Sequence, residues 1–66
     1  MHVWINGEQR ELGTGASVLD ALASLGAPST GVAVAVNGEV VPRADWAATA
    51  LAEGARIEVL TAVQGG

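Results

Sequence analysis

The stretch Gly31–Val41, GVAVAVNGEVV, decides the fold. Valine alternates with alanine from Val32 to Val36, which suits a pleated strand whose two faces carry side chains of different bulk. Asn37-Gly38 can adopt the positive φ angles of a two-residue hairpin turn at low cost. Glu39–Val41 then returns as a short strand, halted by Pro42, which cannot donate the next ladder hydrogen bond. The stretch reads as a β-hairpin, and the rest of the chain must cover one face of it.

Upstream, MHVWINGEQREL (1–12) repeats the device: two short extended runs flank Asn6-Gly7, so a second hairpin is expected. Between the hairpins, Ser17 and Asp20 have the spacing of a helix-start capping pair. Val18, Leu19, Leu22 and Leu25 follow at helical spacing, and Gly26 stands where a C-cap glycine belongs. The pattern predicts one amphipathic helix over 17–25, then a turn through Ala-Pro-Ser-Thr-Gly. Downstream, RADWAATALAEG (43–54) has helix-favouring alanines but follows Pro42, which suggests a single irregular turn from which Trp46 and Leu51 plug the core. RIEVLTAV (56–63) has the β-branched residues of a last strand, with Ile57 and Val59 on one face and Glu58 and Leu60 on the other.

The order β-β-α-β-β-irregular-β describes an α+β domain, a mixed four- to five-stranded sheet covering one helix. This is the β-grasp arrangement. A ferredoxin-like layout needs a second full-length helix, which only 43–53 could supply. At 66 residues there is room for one domain, near the lower limit for folding alone, and half the residues are apolar. The division expected is a folded body over 1–62 and a flexible Gly-Gly tail over 63–66.

Composition removes several functions. A net charge of −4 repels phosphate backbones and anionic lipid. Cysteine is absent, so no disulfide, thiolate metal site or cysteine nucleophile exists. The longest apolar run, VAVAV, cannot span a bilayer, and MHVWINGE lacks the basic and apolar regions of a signal peptide. A cytoplasmic protein, monomeric when free, with no nucleic-acid or membrane partner is the expectation.

Few residues can carry chemistry. His2 is the sole histidine and has no cysteine beside it for a metal. Ser17 is explained as a cap, and no histidine is placed to activate Ser24 or Ser29. The carboxylates of Glu8, Glu11, Asp20, Glu39, Asp45, Glu53 and Glu58 are scattered as solubilising charges are. GTGAS (13–17) lacks the lysine and spacing of a phosphate loop. What remains is TAVQGG (61–66). A C-terminal carboxylate titrates near pKa 3.3–3.7, is ionised at neutral pH, and can attack the α-phosphate of ATP if another protein holds both. Glycines without Cβ atoms fit a narrow channel and leave the carbonyl unshielded. The alternative is an inert chain end, and the dipeptide alone does not choose between them.

Taken together, these residues resemble the ThiS family of sulfur carriers, β-grasp relatives of ubiquitin, over the entire length. The most specific part is VNGEVVPRADW (36–46): Asn37, Val41, Pro42, Arg43 and Trp46, then the turn Glu53-Gly54 and the pair Gly65-Gly66, stand at the family's spacing. Ala55 departs, since family members often have an acidic residue there; the position is expected in a surface turn. The resemblance implies a carrier rather than an enzyme. An E1-like adenylating enzyme would use ATP and Mg to adenylate Gly66, and sulfur drawn from cysteine by a desulfurase would displace AMP to give a thiocarboxylate. The thiazole synthase of thiamine biosynthesis would then take the sulfur. No cofactor or metal is expected on the carrier itself, and Val63, Gln64 and Gly65 form the tail that presents Gly66.

If Val3, Ile5, Val34, Val36, Ile57 and Val59 face the helix, alternation sends Trp4, Ala33, Ala35, Leu60 and Ala62 to the open face of the sheet, where a partner enzyme would dock. Alanines on that face are equally compatible with plain solvent exposure. Rival readings are a carrier for molybdopterin or cysteine biosynthesis, a ubiquitin-like protein modifier, and a β-grasp interaction module with an incidental Gly-Gly.

Overall fold

Both Asn-Gly pairs turn the chain. Asn6 and Gly7 have φ of 51° and 83°, and Asn37 and Gly38 have 52° and 84°. These angles give turns whose twist matches that of the strands they join. The structure is a computed structural model and describes residues 1–26 and 30–61. Strands β1 (His2–Ile5) and β2 (Glu8–Glu11) pair antiparallel with Ile5 opposite Glu8. Strands β3 (Val32–Val36) and β4 (Glu39–Val41) pair antiparallel with Val36 opposite Glu39.

Helix α1 runs Val18–Leu25 and begins on a reciprocal cap. The Asp20 amide donates to Ser17 Oγ at 3.2 Å, and the Ser17 amide donates to Asp20 Oδ2 at 2.9 Å. Two amide donors that no helical carbonyl could reach are thereby satisfied. The helix ends at Gly26, left-handed at φ 68°, whose amide donates to the carbonyls of Leu22 and Ala23. The buried stripe is Val18, Ala21 and Leu22, with Leu25 half-buried, spaced i, i+3, i+4 and i+7. Leu19, expected on that stripe, is instead 43% exposed, because it lies about 100° around the helix from Val18.

The last strand, β5 (Arg56–Thr61), inserts between the hairpins. The sheet order is β2-β1-β5-β3-β4, with β1 and β5 parallel and the other neighbours antiparallel. The five strands form one mixed sheet over one helix, the β-grasp arrangement. Val3, Ile5, Val34 and Ile57 are buried against the helix, with Val36 and Val59 half-buried beside them, as alternation requires.

The segment after β4 holds one short 3₁₀ turn, Arg43–Asp45, rather than a second helix. Trp46 and Leu51 are buried core residues, as expected. The Trp46 indole N–H donates to the Val41 carbonyl at 2.9 Å, so its one polar atom is satisfied inside the core. Leu51 is held by its amide on the Ala16 carbonyl at 2.8 Å. One expectation is corrected: Ala55 is not a surface-turn residue but is 3% exposed. The turn itself ends at Gly54, φ 80°, whose amide donates to the His2 carbonyl at 2.7 Å. That bond draws Ala55 under β1, where its carbonyl accepts from the Trp4 amide at 2.8 Å.

Candidate functional site: the open face and the end of β5

Sheet register determines which side chains share the open face. Directly paired residues point the same way, so Trp4 lies between Gln9 and Arg56 across the sheet. Glu58 lies beside Ala35, which lies beside Val40, and Leu60 lies beside Ala33. Leu60, Ala33, Ala35 and Val40 are therefore neighbours in an apolar patch toward the C-terminal end of β5. Leu60 is 64% and Val40 71% exposed. They are the two most exposed large apolar side chains among the described residues, ahead of Leu19 and Trp4.

The structure thus brings three of the expected docking residues together, Ala33, Ala35 and Leu60, and sets a fourth apart. Trp4 stands beside Arg56, four residues and about 13 Å along the strand from Leu60, with Glu58 between. It forms one wall of an open cleft with Asn6, Gly7, Arg56, Ile57 and Glu58. Ala62, Val63, Gln64, Gly65 and Gly66, the fifth docking residue and the tail, lie outside the described residues. Val40 was missed because Val40-Val41 shows no alternation; its pairing with Ala35 assigns it a face.

Asn6 was read only as a turn residue, and the structure gives its side chain more to do. Its amide donates to the Ile57 carbonyl at 2.9 Å, which completes the parallel pairing of β1 with β5. In a continuing parallel ladder the Asn6 carbonyl would accept from Val59. The chain turns there instead, and the carboxamide substitutes. The Val59 amide donates to Asn6 Oδ1 at 2.9 Å, and Asn6 Nδ2 donates to the Val59 carbonyl at 3.2 Å. In the other hairpin Asn37 acts at the opposite end of β5, where the Arg56 amide donates to Asn37 Oδ1 at 3.0 Å.

The remaining reactive groups have structural surroundings. His2 Nδ1 is 3.6 Å from a Glu53 carboxylate oxygen, both exposed, and the His2 amide donates to Glu53 Oε1 at 3.0 Å. Ser24 Oγ donates to the Ala21 carbonyl at 2.7 Å, and Ser17 is committed to its cap. The seven side-chain carboxylates are all exposed. Among the described residues no three histidine, cysteine, aspartate or glutamate side chains gather to hold a metal. No helix among them is long and apolar enough to cross a membrane.

A mixed five-stranded sheet on one helix, with the last strand of the chain in its middle, defines a ubiquitin-like β-grasp domain. Its full extent corresponds to that of a crystallised thiamine biosynthesis protein (ThiS) from Geobacter metallireducens, with TM-score 0.83, 29% identity and coverage of 100% of both chains. The chain belongs to the ThiS family, whose model matches residues 3–66. Members of that family are sulfur carriers on which partner enzymes act. The solution structure of the Geobacter metallireducens protein agrees, with TM-score 0.79 and 30% identity over 100% of this chain and 88% of that one. A thiazole synthase from Paramagnetospirillum magneticum is 36% identical over all 66 residues, and the chain spans 20% of that protein's length.

Proposed function

We propose that this carrier delivers sulfur for the thiazole ring of thiamine, and that Gly66 carries it as a C-terminal thiocarboxylate. The observation that carries the reading is the end-to-end correspondence with the Geobacter metallireducens ThiS. The thiazole synthase segment supports it further, since a carrier-like sequence within a synthase is one way of keeping donor and acceptor together.

The body, residues 1–62, is what the partner enzymes hold, and residues 63–66 reach their active sites. In the cytoplasm, an E1-like enzyme holds the Gly66 carboxylate against Mg-ATP. A carboxylate oxygen bonds to the α-phosphorus, pyrophosphate leaves, and the acyl-adenylate forms. The terminal sulfur of a persulfide, charged from cysteine by a desulfurase, then bonds to the carbonyl carbon and AMP leaves. A thiol then attacks the enzyme's sulfur in the resulting acyl disulfide, forming a new disulfide there and releasing the thiocarboxylate, which thiazole synthase accepts. The chain contributes no catalytic group to these steps. Its contribution is a carbonyl with no Cβ beside it and a docking patch in which Leu60, on the strand that leads to it, joins Ala33 and Ala35 of β3 and Val40 of β4.

The test is intact mass after incubation with an E1-like adenylating enzyme, a desulfurase, cysteine and Mg-ATP. A gain equal to exchanging one oxygen for sulfur, lost on deleting Gly66, is expected. Adducts to other proteins would identify a modifier instead, and no ATP-dependent change would refute the carrier reading.

A further inference from the structure

We infer that the Asn6 carboxamide is a positioning residue for the sulfur-carrying tail: it supplies the last rung of the sheet on the β1 side of β5 and so sets where the chain leaves the body. The inference rests on the carrier reading above, and it goes beyond it by naming what aims the tail.

On its β3 side β5 is paired to its end, with Thr61 opposite Val32. On its β1 side the paired residues stop at Ile5 and Ile57. Backbone groups alternate along a strand, so those of Ile57, Val59 and Thr61 face β1, while those of Glu58 and Leu60 face β3. Among the described residues the partner of Val59 on the β1 side is the Asn6 side chain, which donates one hydrogen bond and accepts one, as a backbone rung would. No residue of β1 lies opposite Leu60 or Thr61. Among the described residues Val59 is thus the last position at which the strand is gripped from both sides, and the tail begins a few residues further along the sequence.

The fold contains its own control. Asn37 occupies the same place in the other hairpin at nearly the same φ, 52° against 51°, and its side chain takes a single bond from Arg56 at the start of β5, away from the tail. Glycine is at home at positive φ, so Asn6→Gly and Asn37→Gly each delete a carboxamide while keeping a competent turn.

The experiment compares Asn6→Gly, Asn37→Gly and the unsubstituted chain by amide hydrogen exchange and by steady-state activation with the E1-like enzyme and Mg-ATP. In Asn6→Gly the Val59 amide should lose protection by about tenfold, the weight of roughly two net hydrogen bonds, while Glu58 and Leu60 keep theirs. The kcat of activation should fall by about the same factor with KM little changed, because Leu60 remains paired to β3. Asn37→Gly should lower thermal stability comparably and leave both constants within about twofold of the unsubstituted chain. If Asn6→Gly activates normally although Val59 exchanges faster, or if both variants lose activation equally, the positioning role is wrong and the carrier reading stands. If the unsubstituted chain itself gains no sulfur, the carrier reading fails and takes this inference with it.

Discussion

Leu60→Asp separates docking from folding, and the structure sets both magnitudes. Leu60 is 64% exposed and its open-face neighbours are Ala33 and, two residues back on the same strand, Glu58. A carboxylate there would lie about 6.7 Å from the Glu58 position, where repulsion in water amounts to about 0.6 kcal/mol before salt screens it. Little packing is lost from a side chain so exposed. The cost to folding should therefore stay under about 1 kcal/mol, a shift of roughly 1 M or less in a urea midpoint. Docking should suffer far more. An enzyme that covers the remaining two-thirds of Leu60 gains about 1–2 kcal/mol from it. Aspartate forfeits that and adds about 1–3 kcal/mol for an unpaired carboxylate in the contact. Together these predict a rise of at least about 30-fold in the KM for the carrier, measured as pyrophosphate release by the activating enzyme, with cooperative unfolding retained. A KM within about threefold of the unsubstituted protein would refute the docking patch, and loss of cooperative unfolding would show that Leu60 belongs to the core instead.

Trp4→Ala should change that same KM less than Leu60→Ala does, because Trp4 lies about 13 Å from the patch across Glu58 and Arg56; a larger effect would move the docking surface toward the start of β5. Ser17→Ala removes the reciprocal cap and should cost about 1 kcal/mol, a fall of about 4–8 °C in Tm by calorimetry. Trp46→Phe leaves the Val41 carbonyl without its indole donor and part of the core unfilled, for a loss of about 2–3 kcal/mol read from urea unfolding. In a domain of 66 residues the whole stability is about 3–10 kcal/mol, so Trp46→Ala, at about 3–5 kcal/mol, should remove a large share of it, read as a lowered urea midpoint.

Local chemistry made much of the fold legible. Asn-Gly between two extended runs favours a positive-φ turn, so both hairpins follow from dipeptides. Ser17, Asp20 and Gly26 mark the ends of α1 because unpaired backbone groups at helix termini need particular partners. Likewise Pro42 ends β4, and its place before the alanine-rich segment points to a single irregular turn that carries Trp46 and Leu51 into the core. The family pattern points to Gly66 as the working end, a residue outside those the structure describes.

Other features depend on residues that meet only when β5 slides between the hairpins. Ala55 looked like part of a surface turn and is core, because the bond from Gly54 to His2 draws it beneath β1. The open face looked like one apolar surface and is divided, because parallel pairing places Arg56 rather than Leu60 beside Trp4. Val40 joined the patch through its pairing with Ala35, across a turn that sequence alternation does not reach. Asn6 illustrates the distinction within a single residue. Its backbone angle is a local property, readable from Asn-Gly alone, whereas the grip of its carboxamide on Val59, 53 positions away, exists only once the last strand has found the first.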